Sequence, residues 1–349
     1  MKHLIHWIFL PCFLFGNFEK RELEGPNIAY ILTIDPNLYK MKIGLAQDSG
    51  LGLESVPSIA HRYSGFAAIN GGFFLGDPYL GGAAGLLKIQ NILFATSVKN
   101  RGVIAWNANS SPVIERVKST VTINNVQITG LNCPRKQKDI VLYSRPFHQH
   151  TLTDAGGWEY TLNTDHNVTA IMRTGNATIP ENGYILSVGP DAQTLSLNIG
   201  DHVDIRIDIQ PLLGKTWLDY ENILGGTPVL IHQGKVIDDY GPEQILDNFS
   251  THRFSRSAVG IRSNGELVFV VVDGHSEKSI GMTLKELSSF MNDLGCIDAL
   301  NLDGGGSSTI FYDNQVQNIP STHKNRPSPV GNALLILKIN SHDMLAPKK

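Results

Sequence analysis

The sequence predicts a β-rich α+β fold: mixed, largely antiparallel sheets with a few packed helices, in a single domain. Three observations carry this. Short apolar runs rich in Val and Ile alternate with tight polar turns, which is the pattern of hairpins. Only one segment combines a helical apolar period with start and stop signals. No low-complexity linker divides the 349 residues, which are 42% hydrophobic and 17% charged, enough for one sizeable core.

The turns come first. Asn124-Asn125 splits Val121-Thr122-Ile123 from Val126-Gln127-Ile128. Gln233-Gly234 splits Val229-Leu230-Ile231 from Val236-Ile237, and Asn264-Gly265 splits residues 258–261 from 267–272. Asp313-Asn314 follows the run 309–312. Asn, Asp and Gly tolerate the left-handed backbone that two-residue hairpin turns need, so antiparallel pairing is expected to dominate.

The best helix covers Thr283 to Leu294. Thr283 and Glu286 have capping-box spacing, Leu284, Leu287, Phe290, Met291 and Leu294 form an apolar stripe, and Gly295 is a suitable stop. It would carry the chain from the strand ending at Asp273 to the strand ending at Asp303. That crossover predicts parallel neighbours with both carboxylates at one edge. A shorter helix is expected over Pro57 to Tyr63.

The N terminus differs in character. Lys2 and His3 precede an apolar stretch, residues 4–16, too short to span a bilayer comfortably. Residues 1–17 read as a secretory signal and 25–340 as the folded domain. The expected location is secreted, periplasmic or in a secretory lumen, without stable membrane insertion once the signal is removed. Cys12 would leave with the signal. Cys133 and Cys296 allow one disulfide, but Cys296 closes a helix–strand junction and reads as a buried thiol. Sequons occur at Asn109, Asn167, Asn176 and Asn248. Net charge is −3 with no basic stripe, which argues against a nucleic-acid partner.

Chemistry concentrates at three strand ends. Ala67-Ala68-Ile69 runs into Asn70-Gly71-Gly72, and residues 269–272 run into Asp273-Gly274. Cys296 to Leu300 runs into Asn301-Leu302-Asp303-Gly304-Gly305-Gly306-Ser307-Ser308. Glycine-rich strand ends let a ligand approach the backbone, and such ends tend to converge on one pocket. Asp303 leads as the chemical group; a turn-capping aspartate is the other reading. The motif lacks the Gly-Lys-Ser/Thr ending of a phosphate loop and opens no long helix, so it is neither a nucleotide-triphosphate nor a dinucleotide signature.

Arg256 and Arg326 are candidates for bidentate phosphate recognition or, alternatively, surface arginines. Glu159, after Ala155-Gly156-Gly157-Trp158, is either a second carboxylate for acid–base work or a strand-edge charge. His148-Gln149-His150 has spacing that suits a metal but lacks a third ligand at recognisable spacing. No cofactor is required, and a bound divalent cation stays open.

Taken together, the segments 68–74, 224–230, 256–260, 272–274 and 299–308 resemble the phosphodiester glycosidase family over about Ile59 to Leu337. Two departures stand out: Phe254-Ser255 where the family often has His-Pro, and His275 where it often has Arg. The resemblance implies hydrolysis of a sugar-1-phosphodiester, GlcNAc-1-phosphodiester-like, at the anomeric carbon–oxygen bond. It implies Asp303, Asp273 and Arg256 as catalytic residues. Asn70, Gly71, Gly72, Asn301, Gly304, Gly305, Gly306, Ser307, Glu159 and Arg326 would bind the sugar phosphate or glycan. Two other classes stay open: a non-catalytic glycan- or cell-wall-binding protein, and a metal-dependent phosphodiesterase that cuts the P–O bond.

Overall fold

A computed structural model describes residues 16–108, 110–211, 216–322 and 326–339. Cys12, the Asn109 sequon and all but the last two residues of the expected signal lie outside them.

The centre is a seven-stranded sheet in the order Asn17–Leu23, Asn27–Ile34, Leu267–Val272, Arg256–Arg262, Cys296–Asn301, Val229–His232, Lys235–Val236. Every pair in it is antiparallel. Its edge strand begins at Asn17, ahead of residue 25. The strand Leu267–Val272 is buried along its whole length because both of its faces are covered. Leu267, Phe269 and Val271 enter a core shared with Ile69, Ile104 and Leu224 of two other sheets. The alternate residues Val268, Val270 and Val272 meet Leu284, Leu287 and Met291.

Helices are few: α1 (Val56–Arg62), α2 (Asp247–Thr251) and α3 (Leu284–Asp293). In α3 the capping box forms as expected, with Thr283 accepting from the Glu286 N–H and Glu286 from the Thr283 N–H. Gly295 takes φ 79° just past its end. The buried Leu284, Leu287, Phe290 and Met291 each gain about 1.5–3 kcal/mol from burial, which outweighs the helix's indifferent intrinsic propensity. Ser55 caps α1.

A second seven-stranded sheet includes Val113–Ile123, Arg101–Trp106 and Asn222–Gly225, and two five-stranded sheets complete the fold. One holds Ile310–Tyr312, Ala67–Asn70 and Asn332–Lys338; the other holds Ile140–Ser144, Tyr184–Val188 and Trp158–Leu162. Among the described residues one pair is parallel, Gly130–Leu131 with Ile140–Ser144. The four expected hairpins form, with Asn124, Asn125, Gln233, Asp313 and Asn314 all at positive φ.

The crossover needs correction. Helix α3 does join the two carboxylate-bearing strands, and they run the same way. They are not neighbours: Arg256–Arg262 lies between them, antiparallel to both. The hairpin at Asn264-Gly265 claims the place beside Leu267–Val272 before the helix returns the chain.

Candidate active site

The register of the central sheet gathers three candidates. Arg256 opens its strand opposite Val272, one residue before Asp273, and Ala258 sits opposite Asn301, two residues before Asp303. Asn70 ties in the third glycine end from the neighbouring sheet. Its Nδ2 donates to the Asp303 carbonyl at 2.7 Å, and its Oδ1 accepts from Ser257 Oγ at 2.7 Å and the Thr309 N–H at 3.2 Å. The Asp303 N–H donates to the Gly71 carbonyl at 3.2 Å. Asn70 is fully buried, so it is a rivet between sheets rather than a hydroxyl-binding group.

Asp303 is partly exposed at the head of the turn. Its Oδ1 accepts the Gly304 N–H at 2.9 Å, and no cation pairs with it among the described residues. Burial pushes its carboxyl up to about 6, against the pull of the Ser307 hydroxyl and the Gly304 N–H. A carboxylate that titrates near neutrality, carries its charge without a counter-ion and still reaches solvent is suited to take a proton or meet a developing cation.

Asp273 is different. It is buried, and both of its oxygens accept from the Ile319 N–H, at 3.1 and 3.2 Å, while Asn318 Nδ2 reaches Oδ1 at 3.2 Å. Burial raises its pKa, and Asn318, Ile319 and Tyr30 pull it back. This aspartate fastens the segment 318–319 to the sheet.

The glycine turns are packed rather than open. A Cβ on Gly71 would lie 2.0 Å from Asn332 Oδ1, and one on Gly72 2.2 Å from the Gly225 carbonyl. The expectation that their N–H groups hold phosphate is corrected: Gly71 donates to the Asn332 carbonyl at 3.0 Å and Gly72 to Asn332 Oδ1 at 2.9 Å. In the second turn Gly304 donates to Asp303 and Gly305, at φ 60°, to the Ser255 carbonyl at 2.8 Å. Among the described residues the Gly306 N–H has no hydrogen bond outside its own short helical turn. These glycines bring three chain segments into contact; they do not form an anion cradle.

Arg256 also departs from expectation. It is 1% exposed, and its Nε donates to the Met282 carbonyl at 2.9 Å. Nη2 donates to the carbonyls of Phe249, at 2.8 Å, and His252, at 3.1 Å, so the guanidinium fastens α2 to the sheet. Among the described residues Nη1 makes no further hydrogen bond, and with Nε and Nη2 committed the bidentate phosphate fork is not available. Among the described residues no carboxylate pairs with Arg256; burial pulls it down to about 10, still a cation at neutral pH.

The remaining candidates scatter. Asn301 is fully buried, with Nδ2 donating to the Thr227 carbonyl at 2.6 Å and Oδ1 lacking any partner. Ser307 sits beside Asp303. Arg326 is exposed, its backbone held by Thr322 Oγ1. Glu159 belongs to another sheet and is buried, accepting from Thr151, Thr153 and the Ala177 N–H at 2.8–2.9 Å. It is a satisfied structural carboxylate. Cys133 and Cys296 are separate buried thiols, and burial pushes both up to about 12.

Sequence reading missed Glu243 and Asn332. Glu243 is buried and accepts from the Gly102 and Val229 N–H groups at 2.8 Å and from Thr227 Oγ1 at 2.7 Å, which fixes the loop behind Asn301. Neither has a local signal, because every partner is distant in sequence.

Two cavities border the central strands and the glycine turns. One of about 250 Å³, lined by Arg21, Asp35, Tyr39, Arg262 and Glu266, lies at the opposite end of the central strands. One of about 10 Å³, bounded by Gly72, Phe73, Gly225 and Asn332, sits beside the glycine turns and has room for one water. Asp303 lines neither of them. Among the described residues no three metal-ligating side chains cluster, and no helix is long and apolar enough to cross a membrane.

Known proteins resemble this chain in sequence and in fold. An uncharacterized protein of Rickettsia conorii is 28% identical over 225 residues, covering 62% of this chain and 77% of its own. The N-acetylglucosamine-1-phosphodiester alpha-N-acetylglucosaminidase of Bos taurus is 34% identical over 119 residues, 30% of this chain but only 22% of the bovine protein. The fold matches a hypothetical protein from Synechocystis with TM-score 0.80 at 23% identity, over 92% of this chain and 61% of that one. It also matches a Burkholderia pseudomallei protein described as exported, with TM-score 0.76 at 22% identity, over 89% of this chain and 74% of that one. A profile of phosphodiester glycosidases matches residues 157–337, just over half of the sequence. The chain belongs to the phosphodiester glycosidase family.

Proposed function

We propose that this protein hydrolyses the glycosidic C–O bond of a sugar-1-phosphodiester of the N-acetylglucosamine-1-phosphodiester type, releasing free sugar and a phosphomonoester. The observation that carries the reading is Asp303: a carboxylate at the head of a packed glycine turn, without a counter-ion, with its pKa near 6. Membership of the family and the bovine relative's name supply the substrate class.

The leaving group is a phosphate monoester, a weak base, so bond breaking needs little help from a strong general acid. What it needs is a negative group beside the sugar ring as positive charge builds there. Ionised Asp303 serves, and takes the proton from the attacking water as oxygen bonds to the anomeric carbon. The C1–O bond breaks and its oxygen stays with phosphate. Gly306 N–H and Arg256 Nη1 are the donors left for the phosphate side, while the Ser307 hydroxyl holds Asp303. Asp273 and Arg256 hold the walls. The apolar N-terminal stretch and the exported Burkholderia relative support a place of action outside the cytoplasm.

The test is product analysis by mass spectrometry after turnover of a GlcNAc-1-phosphodiester in ¹⁸O water. Label in the free sugar is expected. Label in the phosphate would mean P–O cleavage and a phosphodiesterase, and no turnover across a broad panel would favour a glycan-binding protein.

A further inference from the structure

The edge of the site carries a continuous row of aromatic rings that the hydrolytic chemistry does not use. Phe73 meets Phe249 at 6.0 Å between ring centroids, Phe249 meets Phe254 at 6.5 Å with planes 25° apart, and Phe254 meets His275 at 6.0 Å. His252 joins Phe254 at 6.4 Å. The three phenylalanines are partly exposed, Phe249 also packing against the core, and both histidines are exposed, so the row keeps contact with solvent.

The row borders the site along its length. Phe73 follows Gly72, His275 follows Gly274, and Phe254 precedes Ser255, whose carbonyl holds Gly305. The Phe249 carbonyl accepts from Arg256. The Arg256 guanidinium lies 4.9 Å from the Phe249 ring centre and 5.2 Å from that of Phe254. A buried cation without a carboxylate therefore sits directly behind a partly wet aromatic face. That pairing complements a ligand with an anion and a flat ring side by side. A polyhydroxylated ring fits less well, since its hydroxyls want carboxylates or amides alongside, and the row itself offers only imidazoles.

We propose that Phe73, Phe249 and Phe254 form a stacking platform that selects phosphodiesters carrying an unsaturated planar ring on the alcohol side, the side released with phosphate. The inference rests on the phosphodiester reading for its anion but not on any bond being cut.

Binding of benzyl methyl phosphate and dimethyl phosphate to the full chain, measured by calorimetry or ligand-observed NMR, tests it without turnover. The benzyl ester should bind at least about tenfold more tightly, on the scale of one stacked ring. Phe254→Leu, and separately Phe73→Leu in case the first disturbs Arg256, should each reduce that ratio to about threefold or less. Equal binding of the two esters, no binding of either, or a ratio that neither substitution moves would overturn the proposal. Carbon–oxygen cleavage without a benzyl preference removes this inference alone; a benzyl preference without cleavage removes the hydrolase reading alone.

Discussion

Asp303 and Asp273 follow strands that run in the same direction in the central sheet, yet their surroundings differ. Asp273 has an oxygen pair occupied by the Ile319 N–H and the Asn318 amide, from a segment that packs over the turn. Asp303 accepts only from its own loop and keeps contact with solvent. Burial raises the pKa of both. The difference lies in who uses the charge: a fixed backbone segment in one case, and in the other an open position where substrate charge can develop. Two aspartates followed by glycine, indistinguishable as motifs, are told apart only by their partners, and the proposed reaction falls to the one that is not a fastener.

The sharpest break of that comparison is Asp303→Asn, which should lower kcat/KM by about 10³-fold or more, the scale of losing one catalytic carboxylate. The same variant should be more stable at pH 7–8. A folded-state pKa of about 6 against an ordinary 3.8 means the native protein binds its proton more tightly than the unfolded chain. Stability from this group is therefore full below about pH 4 and is lost as pH rises towards about 6, by at most about 3 kcal/mol at 1.36 kcal/mol per pKa unit. Denaturant titration of wild type and variant at pH 4.5 and 7.5 reads this; a variant less stable at 7.5 would contradict it.

Asp273→Ala should behave in reverse, with stability falling by about 3 kcal/mol because the Ile319 N–H and Asn318 amide lose a buried charged acceptor. Asn318→Ala breaks the same fastening from the other side and should cost about 1–2 kcal/mol. In a double-mutant cycle the two losses should be less than additive, since they share one interaction. Full additivity would mean Asn318 is not a partner of Asp273. The smallest effect expected is in the pH profile, where kcat/KM should rise with pH through about 6 as Asp303 ionises. A profile that falls over that range would make Asp303 an acid instead of a base.

Much of the fold was legible because its determinants are local. The hairpins rest on Asn, Asp and Gln residues that accept positive φ at the turn itself, and α3 on a capping box four residues long. The five-residue α2 was not legible: its carbonyls are held by Arg256 from a different element. The convergence of the three glycine ends was readable from their repetition. The use of their N–H groups was not, because Asn332, which takes those of Gly71 and Gly72, lies 260 residues beyond Gly72. Asp273 looked catalytic for the same reason; the residue that claims it, Asn318, is 45 positions on. Glu159 misled because a buried carboxylate satisfied by two threonines and an amide reads, in sequence, like any charge after a glycine pair.

The proposed hydrolysis requires Asp303, and not Asp273, as the reacting carboxylate. Single-turnover rates of Asp303→Asn and Asp273→Asn on one GlcNAc-1-phosphodiester test it most directly, with folding of both checked by circular dichroism. The account predicts that Asp303→Asn is inactive while Asp273→Asn, whose amide oxygen can still accept from Ile319, keeps within about tenfold of the wild-type rate. Loss of turnover in a folded Asp273→Asn, with Asp303→Asn still active, would contradict it.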